Sequence, residues 1–429
     1  MTHIERIVLQ ELKERPHTTS EISRKSCVTE AAVVVQLRDL NERVKSHLGY
    51  KDDPITATVG GAWKADGIAG LLRLNSQVEL EVVPKFLDPN STAWRSDFFL
   101  LAVLVKTGHL LVHDNISADI QDRGDLATLV ARSLLTLHEE NFRRPIRGYK
   151  RTRRADFSID GDVEWETLMM PEADGFMLTR LELTRQNAYN ATLAAAVDLL
   201  IPEVSDGDTQ SQLQLLARHL APQQAPPAVF PPLPLRHNSW QQAYDLSQLI
   251  VEGLGLDLAS GNFTGPGFVL STWSAWQTLC EEIVRQALSN RKVVGQKQWI
   301  IGHRNTEPVH VKPDISVLAG DTADFLLDAK YKTRAGRKSS INSSDVYESL
   351  AFLKASGATY IGLLYPTTKN PTDLPLGGWS PFDEVVIENM TIEGIEVQIQ
   401  GIAQRGGFDR LVTETRVALS AKTESSSLT

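Results

Sequence analysis

Two aspartates and a lysine in the C-terminal third of the chain have the side chains that phosphodiester hydrolysis needs. Asp314 follows a proline, and Asp328 and Lys330 lie two residues apart in an Asp-Ala-Lys segment. Two carboxylates at short range repel each other unless a cation lies between them, and a hard cation such as Mg²⁺ prefers oxygen ligands. A lysine beside them can position the attacking water or stabilise charge that develops on the phosphate. The implied chemistry is metal-dependent hydrolysis.

Residue alternation around these acids predicts two paired strands. In residues 309–318 the apolar side chains fall on one face of a strand and the first aspartate on the other. Residues 325–331 repeat the pattern with the second aspartate and the lysine, and residues 319–322 have the composition of a turn. The sequence therefore predicts a hairpin whose polar face brings the two carboxylates together.

Such a hairpin would form a metal site from oxygen ligands. Asp314 and Asp328 would hold the cation, the backbone carbonyl of Ala329 could add a ligand, and Lys330 would lie one pleat further along. Charged residues are common on solvent-facing strands, so a half-exposed hairpin with ordinary surface charges is the alternative. The flanking helices favour the metal site.

The helix predicted upstream offers a third acid. Residues 273–290 form an amphipathic pattern in which Glu281 lies at the edge of the apolar stripe and Glu282 points away from it. Glu281 is therefore a candidate third metal ligand or, alternatively, an ordinary acid at a helix boundary. Glu282 is expected to be solvated.

A second helix and a strand are predicted downstream. Ser343 or Ser344 can cap this helix, and Gly357 ends it. Residues 358–365 then read as a buried strand. The order of helix, hairpin, helix and strand predicts a mixed sheet flanked by helices.

These residues carry a resemblance to a known family. The string from Asp328 to Lys332, preceded by Pro313-Asp314 and followed by Asp-Val-Tyr-Glu at 345–348, resembles the PD-(D/E)xK nuclease core of the McrC family, the nuclease subunit of McrBC modification-dependent restriction systems. Glu348 stands where a glutamine is common in the family. Residues 67–86 resemble the N-terminal β-region of the family. The resemblance covers about residues 55–400 and includes a helix over 183–200.

The resemblance implies a function and its residues. Asp314, Asp328 and Lys330 would be catalytic, with Mg²⁺ or Mn²⁺ held by the two acids and the carbonyl of residue 329. Lys332 and Tyr347 would be candidates to contact DNA. The chain would be a magnesium-dependent endodeoxyribonuclease in an antiviral restriction system, acting on double-stranded DNA that is modified or foreign.

The resemblance also implies a partner. The sequence has no Gly-x-x-x-x-Gly-Lys-Ser/Thr loop for binding nucleotide phosphates, so nucleotide hydrolysis must belong to another chain. In the family that partner is a ring-forming AAA+ protein of the McrB type. Residues 50–220 would face this GTPase or ATPase ring and stimulate it.

A basic run over residues 143–154 contains no acid. Arg151 and Arg153 within it are candidates for phosphate contact. The alternatives are a solvated connector or a surface that meets an acidic protein partner.

The predicted fold class is α/β, in an α+β multidomain chain. Residues 1–48 read as three helices, over 4–14, 19–26 and 29–48, which resemble a helix-turn-helix or winged-helix unit that binds DNA or only packs against protein.

The remaining boundaries follow from composition. The middle region, 50–220, is predicted to contain strands at 55–59, 70–74 and 78–83 and then helices over 94–140 and 176–220. A proline-rich linker spans 221–237, a PD-(D/E)xK restriction-endonuclease-like domain spans 238–420, and a disordered tail spans 421–429.

Composition excludes several protein classes. The chain has 429 residues, enough for two or three domains, and its two cysteines, Cys27 and Cys280, are too far apart in sequence to suggest a disulfide framework or a zinc site. The first residues do not form a signal peptide, and the longest apolar run, 98–105, is too short to span a bilayer. A reducing cytoplasm is the expected compartment. The net charge of −9 argues against a protein that coats DNA by itself.

Three functions fit these observations. The first is an active metal-dependent endonuclease subunit, the second is a non-cleaving activator of the partner NTPase, and the third is a winged-helix DNA-binding regulator with a C-terminal binding module. The acid and lysine set favours the first, because neither alternative requires it.

Overall fold

Helices and strands alternate along the computed structural model, which describes residues 5–10, 17–26, 29–58, 61–74, 78–84, 87, 94–107, 126–171, 173–204, 206–220, 225–252, 255–257, 266–332, 340–367, 369 and 371–426. The chain divides into two compact units. The first unit comprises Met1–Leu126 with Gly255–Thr429, and the second comprises Ala127–Leu254. Within the described ranges, no helix combines the length and the apolar character needed to cross a membrane.

The helices are α1 (Thr19–Ser26), α2 (Glu30–Leu48), α3 (Trp94–Thr107), α4 (Leu126–Asn141), α5 (Trp165–Met169), α6 (Ala188–Leu200), α7 (Gly207–Leu220), α8 (Gln241–Val251), α9 (Thr272–Ala287), α10 (Ser343–Ser356) and α11 (Gly407–Ser426). The strands are β1 (Glu5–Gln10), β2 (His17–Thr18), β3 (Ile55–Ala57), β4 (Ala62–Ala65), β5 (Ile68–Arg73), β6 (Val78–Val83), β7 (Gly148–Asp156), β8 (Asp162–Val163), β9 (Phe176–Thr184), β10 (Gly255–Asp257), β11 (Pro266–Ser271), β12 (Lys292–Gly295), β13 (Trp299–Arg304), β14 (Glu307–Val311), β15 (Ile315–Ala319), β16 (Thr322–Ala329), β17 (Tyr360–Pro366), β18 (Trp379–Ile387) and β19 (Met390–Val397).

Strand β1 corrects the prediction of a helix over residues 4–14. It pairs in parallel with β6 along its whole length, while residues 11–16 lie outside the described part of the chain. A short apolar run fits either a helix or a strand by periodicity, and here a partner strand far along the chain decides. The predicted three-helix unit is therefore wrong in its first helix, and DNA binding by residues 1–48 stays a prediction.

The other two N-terminal helices are confirmed. The side chain of Thr29 accepts a hydrogen bond from the backbone N–H of Ala32 at 3.3 Å and caps α2. Gly49 follows the helix with a φ of 67°, in the left-handed region that favours glycine. Both helices share a core with a small sheet of order β2-β4-β3 and with the larger sheet beside it; this core includes Ile22, Leu37, Leu40, Trp63, Leu80 and Val269.

The larger N-terminal sheet has the order β1-β6-β5-β11-β10. The predicted strands over 55–59, 70–74 and 78–83 correspond to β3, β5 and β6, with residues 59–60 outside the described ranges, but β4 was not predicted. Strands β10 and β11 come from the part of the chain that follows the second unit. The sheet is thus built from two distant stretches of sequence.

The C-terminal part of the first unit contains a six-stranded sheet of order β12-β15-β16-β17-β19-β18. Strands β16, β17 and β19 run parallel, and the other pairs are antiparallel. Helix α10 packs on this sheet, while α9 contacts β12 and β16 and is itself covered by α11. The buried indole of Trp276 donates from Nε1 to the carbonyl of Leu364 at 3.0 Å, which ties α9 to β17. The mixed sheet with flanking helices is the arrangement predicted from the sequence.

The second unit differs from the prediction at several points. The basic run contributes to β7, so it is not a connector, and β9 occupies residues 176–184 where a helix was predicted. These two strands pair with β8 in a sheet of order β7-β9-β8. Long strands rich in charged residues lack a clear alternation of apolar and polar residues, because their stability comes from cross-strand partners. Helix α8 also lies in this unit, where it packs on α6, although the sequence placed it in the nuclease domain.

The C-terminal tail is a further correction. Residues 421–426 were predicted to be disordered, yet they continue α11, and only residues 427–429 of the predicted tail lie outside the described part.

Of the predicted linker, residues 225–234 contain neither helix nor strand, and residues 221–224 are not described.

Asp97 of α3 connects the N-terminal and C-terminal stretches of the first unit. Its buried carboxylate accepts hydrogen bonds from the backbone N–H groups of Gly401 at 2.7 Å and Ala403 at 2.9 Å. Burial raises the pKa of Asp97 from 3.8 to about 7, although both backbone hydrogen bonds act in the opposite direction.

We expect Asp97→Ala to lower the free energy of unfolding by about 2–4 kcal/mol, because two buried N–H groups lose their acceptor. The raised pKa means that the folded state binds the proton of Asp97 more tightly than the unfolded state does. The contribution of this carboxyl to stability is therefore largest below pH 3.8 and is lost as the pH rises to about 7. The wild type should therefore lose stability relative to Asp97→Asn, which cannot ionise, over that interval. Urea unfolding at several pH values measures the difference, and a constant difference would contradict the expectation.

Candidate metal centre

A break between two strands precedes Asp314. The predicted single strand over residues 309–318 is instead β14 and β15, separated by residues 312–314. Pro313 has no N–H to donate, so a hydrogen-bonded ladder cannot run through this point. Strand β14 pairs with β13, whereas β15 pairs with β12 and β16. The single-strand prediction is wrong, but the turn predicted over 319–322 joins β15 to β16.

The β15–β16 hairpin brings the two aspartates together. The backbone N–H of Asp314 donates to Oδ1 of Asp328 at 3.3 Å, and the N–H of Ala329 donates to Oδ2 of Asp314 at 2.9 Å. Asp328 is 4% exposed. The alternative of a half-exposed hairpin with ordinary surface charges is therefore wrong.

Burial and mutual repulsion make this pair of acids costly to ionise. Burial, reinforced by the charge of Asp328, raises the pKa of Asp314 to about 7. Burial also raises the pKa of Asp328, although Lys330 opposes the shift. A divalent cation would relieve the repulsion, and the donors are hard oxygens of the kind that Mg²⁺ and Mn²⁺ prefer. The donor set therefore fits the implied metal.

Lys330 is held between two carboxylates. Its Nζ lies 2.6 Å from Oδ2 of Asp328 and 2.7 Å from Oε2 of Glu348, which projects from α10. Burial alone would lower the pKa of Lys330, but the two carboxylates outweigh it and raise the pKa above its usual value. The lysine is therefore a fixed positive charge rather than a proton acceptor.

The two glutamates of α9 do not differ as the sequence predicted. Glu281 and Glu282 both form ion pairs with Arg285, and their side chains are 25% and 17% exposed. The expectation that Glu282 is solvated is thus wrong, because its side chain is the less exposed of the two. Among the described residues, no group of three or more His, Cys, Asp or Glu side chains forms a metal-binding cluster. Glu281 lies against Gly295, whose added Cβ would meet its carboxylate, and its role as a third ligand stays a prediction.

Lys332, a predicted DNA contact, has a partner within the chain. Its Nζ lies 2.5 Å from Oδ1 of Asp345, a buried acid in the first turn of α10. The other oxygen of Asp345 accepts a hydrogen bond from the hydroxyl of Tyr365 at 3.1 Å. Tyr347, the other predicted DNA contact, lies on this helix and is largely exposed. The cap of α10 is Asn342 rather than Ser343 or Ser344, and its side chain accepts from the N–H of residue 344.

The predicted basic patch lies on β7 in the second unit. Arg153 forms two hydrogen bonds to Glu164, at 2.6 and 2.8 Å, so its charge is already matched. Arg154 is 2.6 Å from Asp156. Arg151 is exposed on the same strand. The run without acids in the sequence is thus partly neutralised by acids that the fold brings to it.

Two contributions to the site were not evident from spacing. The contact between Glu348 and Lys330 could not be predicted from spacing, because a contact between a strand end and a later helix depends on tertiary packing. The thiol of Cys280 is buried in α9, and burial together with the charges of Asp314 and Asp328 raises its pKa well above the usual value. Its place in the apolar stripe of α9 predicted the burial but not the neighbouring acids.

Comparison with known proteins adds independent information. A family model described as "McrBC 5-methylcytosine restriction system component" matches residues 63–366, well over half of the chain. None of the curated proteins matches the chain.

Two solved structures from Thermococcus gammatolerans have a similar fold. The first is described as a refined half-complex from a tetradecameric assembly of McrB AAA+ hexamers with bound McrC; the match has a TM-score of 0.70 at 15% identity and covers 97% of this chain and 100% of that chain. The second is a cryo-EM structure of the McrBC complex, with a TM-score of 0.50 at 16% identity, covering 66% of this chain and 88% of that chain. At these identities the matches establish likeness of fold alone.

Proposed function

Because the chain belongs to the family of McrBC 5-methylcytosine restriction system components, we propose that it is the metal-dependent DNA endonuclease subunit of such a system, with a PD-(D/E)xK nuclease core. The observation that carries the proposal is the contact between the partly buried Asp314 and the buried Asp328, with Lys330 held beside them. Natural proteins avoid burying two repelling carboxylates unless a cation or a reaction requires them. A purely structural role would be served better by neutral side chains.

The residues of the site divide the work of phosphodiester hydrolysis among them. Asp314, Asp328 and the backbone carbonyl of Ala329 would hold Mg²⁺ or Mn²⁺, which supplies Lewis-acid activation of water and phosphate when bound. Lys330 keeps its proton, so it stabilises negative charge on the phosphate oxygens rather than taking a proton from water. Glu348 is the second carboxylate that holds the ammonium group.

The second part of the proposal is an AAA+ partner of the McrB type. The Thermococcus gammatolerans assembly holds McrC with McrB AAA+ hexamers, and this chain matches that structure along nearly its whole length. The chain lacks a phosphate-binding loop of its own. Residues 157–170 of the second unit carry five exposed apolar side chains, with Trp165 at 77%: Phe157, Ile159, Trp165, Met169 and Met170. Large exposed apolar patches of this kind mark protein-binding surfaces, and we assign this one to the partner.

We expect the purified chain to cleave duplex DNA poorly until an McrB-type partner, its nucleotide and Mg²⁺ are all present. A plasmid-cleavage assay with each component omitted in turn measures this dependence, and chelation with EDTA should stop the reaction. Trp165→Ser should weaken cleavage by the assembly and stimulation of the partner's nucleotide hydrolysis alike, because both depend on docking. Leu235→Ser, at another exposed apolar residue of the second unit, is the matched control.

Robust cleavage by the chain alone would contradict the dependence on a partner. Stimulation of the partner without any DNA cleavage under all metal conditions would instead identify the chain as a non-cleaving activator. These two outcomes separate the enzymatic function from the docking function.

A further inference from the structure

A two-stranded ribbon that lies against α10 comes immediately before the acid pair in the chain. Strands β13 and β14 pair only with each other and form a sheet separate from the six-stranded one. Both strands are exposed along most of their length, with Ile300 at 53%. Helix α10 packs against both strands, and the side chains that stay exposed are open to an external ligand.

Both ends of the ribbon are fixed next to Asp314. On the incoming side, the backbone N–H of Gln296 donates to the carbonyl of Asp314 at 2.8 Å. On the outgoing side, β14 leads through residues 312–313 directly into the same aspartate. The indole of Trp299 also donates to the buried hydroxyl of Ser316 at 3.2 Å. The ribbon is therefore positioned relative to the acid pair by contacts on both strands.

The charge of the ribbon differs in sign from that of the whole protein. Residues 296–312 contain three cations, Lys297, Arg304 and Lys312, two histidines and a single acid, Glu307, in a chain of net charge −9. Within the described part of the chain, neither Arg304 nor Lys312 forms an ion pair. A locally positive, exposed segment beside the acid pair fits a polyanion that must approach those acids.

The shape of the ribbon fits one nucleic-acid surface in particular. A major groove about 12 Å wide admits a two-stranded β-ribbon. The exposed side chains combine apolar groups with hydrogen-bond donors, and a register shift between Ile300 and Gly302 redirects the outer half of the ribbon. Asn305 forms the tip with a φ of 56°, a conformation that asparagine tolerates in tight turns.

We propose that the β13–β14 ribbon enters the major groove of the duplex DNA and sets the phosphodiester that reaches the acid pair; this inference rests on the proposed nuclease function. Arg304, near the tip, contacts backbone phosphate, and Ile300 and His310, which are paired across the strands, face the groove. The ribbon is thus a positioning device for the substrate and not part of the reacting centre.

The test measures DNA affinity separately from cleavage. Fluorescence anisotropy with the full chain, a labelled duplex and a single strand of the same sequence is performed with Ca²⁺ in place of Mg²⁺. Arg304→Ala is expected to weaken duplex binding several-fold. It should also reduce the slope of log affinity against log salt concentration by about one, the contribution of one phosphate contact. Ile300→Asp should weaken duplex binding more than single-strand binding. Arg410→Ala, an exposed arginine on α11, is the matched control and should bind as the wild type does.

Several outcomes would overturn the proposal. These are wild-type duplex affinity in both ribbon variants, equal losses for duplex and single strand, or no duplex binding by the wild type at about 100 µM, the weak limit of non-specific binding. Unchanged duplex binding with loss of McrB-type partner binding would assign the ribbon to a protein instead. Melting temperatures close to the wild-type value establish that the variants fold. If the affinities follow the expectation but no condition yields cleavage, the nuclease proposal fails and the DNA-binding ribbon does not.

Discussion

Asp328→Ala and Lys330→Ala are each expected to reduce Mg²⁺-dependent DNA cleavage by the assembled system at least about 100-fold, the usual cost of losing a group that stabilises transition-state charge. Asp328 is buried, faces Asp314 and is 2.6 Å from Lys330, so its loss removes a proposed metal ligand and one of the two partners of the lysine. Lys330→Ala leaves the acids in place but removes the positive charge beside them. Initial rates of cleavage of a linear duplex measure both effects.

The effect of Mg²⁺ on the melting temperature distinguishes substitutions at Asp328 from those at Lys330. Mg²⁺ should raise the melting temperature of the wild type, because a ligand that binds only the folded state stabilises it. This rise should vanish in Asp328→Asn, which preserves the shape of the side chain, and persist in Lys330→Ala. Asp321→Ala, in the exposed turn of the same hairpin, is the matched control. Both Asp328→Ala and Lys330→Ala should still stimulate nucleotide hydrolysis by the partner. Undiminished cleavage by both variants would refute the assignment of the site.

The second large effect is expected at Asp345, where Asp345→Ala should lower the free energy of unfolding by about 3 kcal/mol. Removing one member of a buried ion pair costs about 3–5 kcal/mol, and the lower end applies because Lys332 is half-exposed and can regain water. The substitution also leaves the hydroxyl of Tyr365 without this acceptor. Asp345→Asn should cost less, since an amide oxygen can still accept from the tyrosine.

Guanidinium unfolding of these variants measures the loss. Asp409→Ala, an exposed acid in the first turn of α11, is the matched control and should change stability by less than about 0.5 kcal/mol. Lys332→Ala should destabilise the protein as well, because it leaves Asp345 buried without its cation. A Lys332→Ala variant with wild-type stability and weakened DNA binding would instead support the direct DNA contact that the sequence predicted.

Local pattern was sufficient for the elements around the site. The helical spacing of apolar residues predicted α9 and α10, and Gly357 marked the end of α10 with a φ of 75°. The alternation around Asp328 predicted β16. Each of these patterns reflects burial within one short segment, so the sequence of that segment is enough to reveal it.

Local sequence pattern failed where the structure of a segment depends on residues far along the chain. Residues 5–10 are a strand because β6 lies beside them. Five of the nine residues of β7 are charged, yet it is a strand because β9 pairs with it along its whole length. The meeting of Asp314 and Asp328 could be predicted because one hairpin contains both. The meetings of Lys330 with Glu348 and of Lys332 with Asp345 could not, because each joins a strand end to a separate helix.

Strands β10 and β11 give the first unit a discontinuous sequence, with residues 127–254 inserted between its two halves. During synthesis, the N-terminal sheet cannot be completed until residue 271 has been made. A fragment that starts at residue 238 would keep the acid pair, yet it would lose β5, one of the two strands that pair with β11, and the carboxylate of Asp97 that anchors residues 401–403. Dissection of the chain should therefore remove residues 127–254 and link residue 126 to residue 255, so that both halves of the sheet remain.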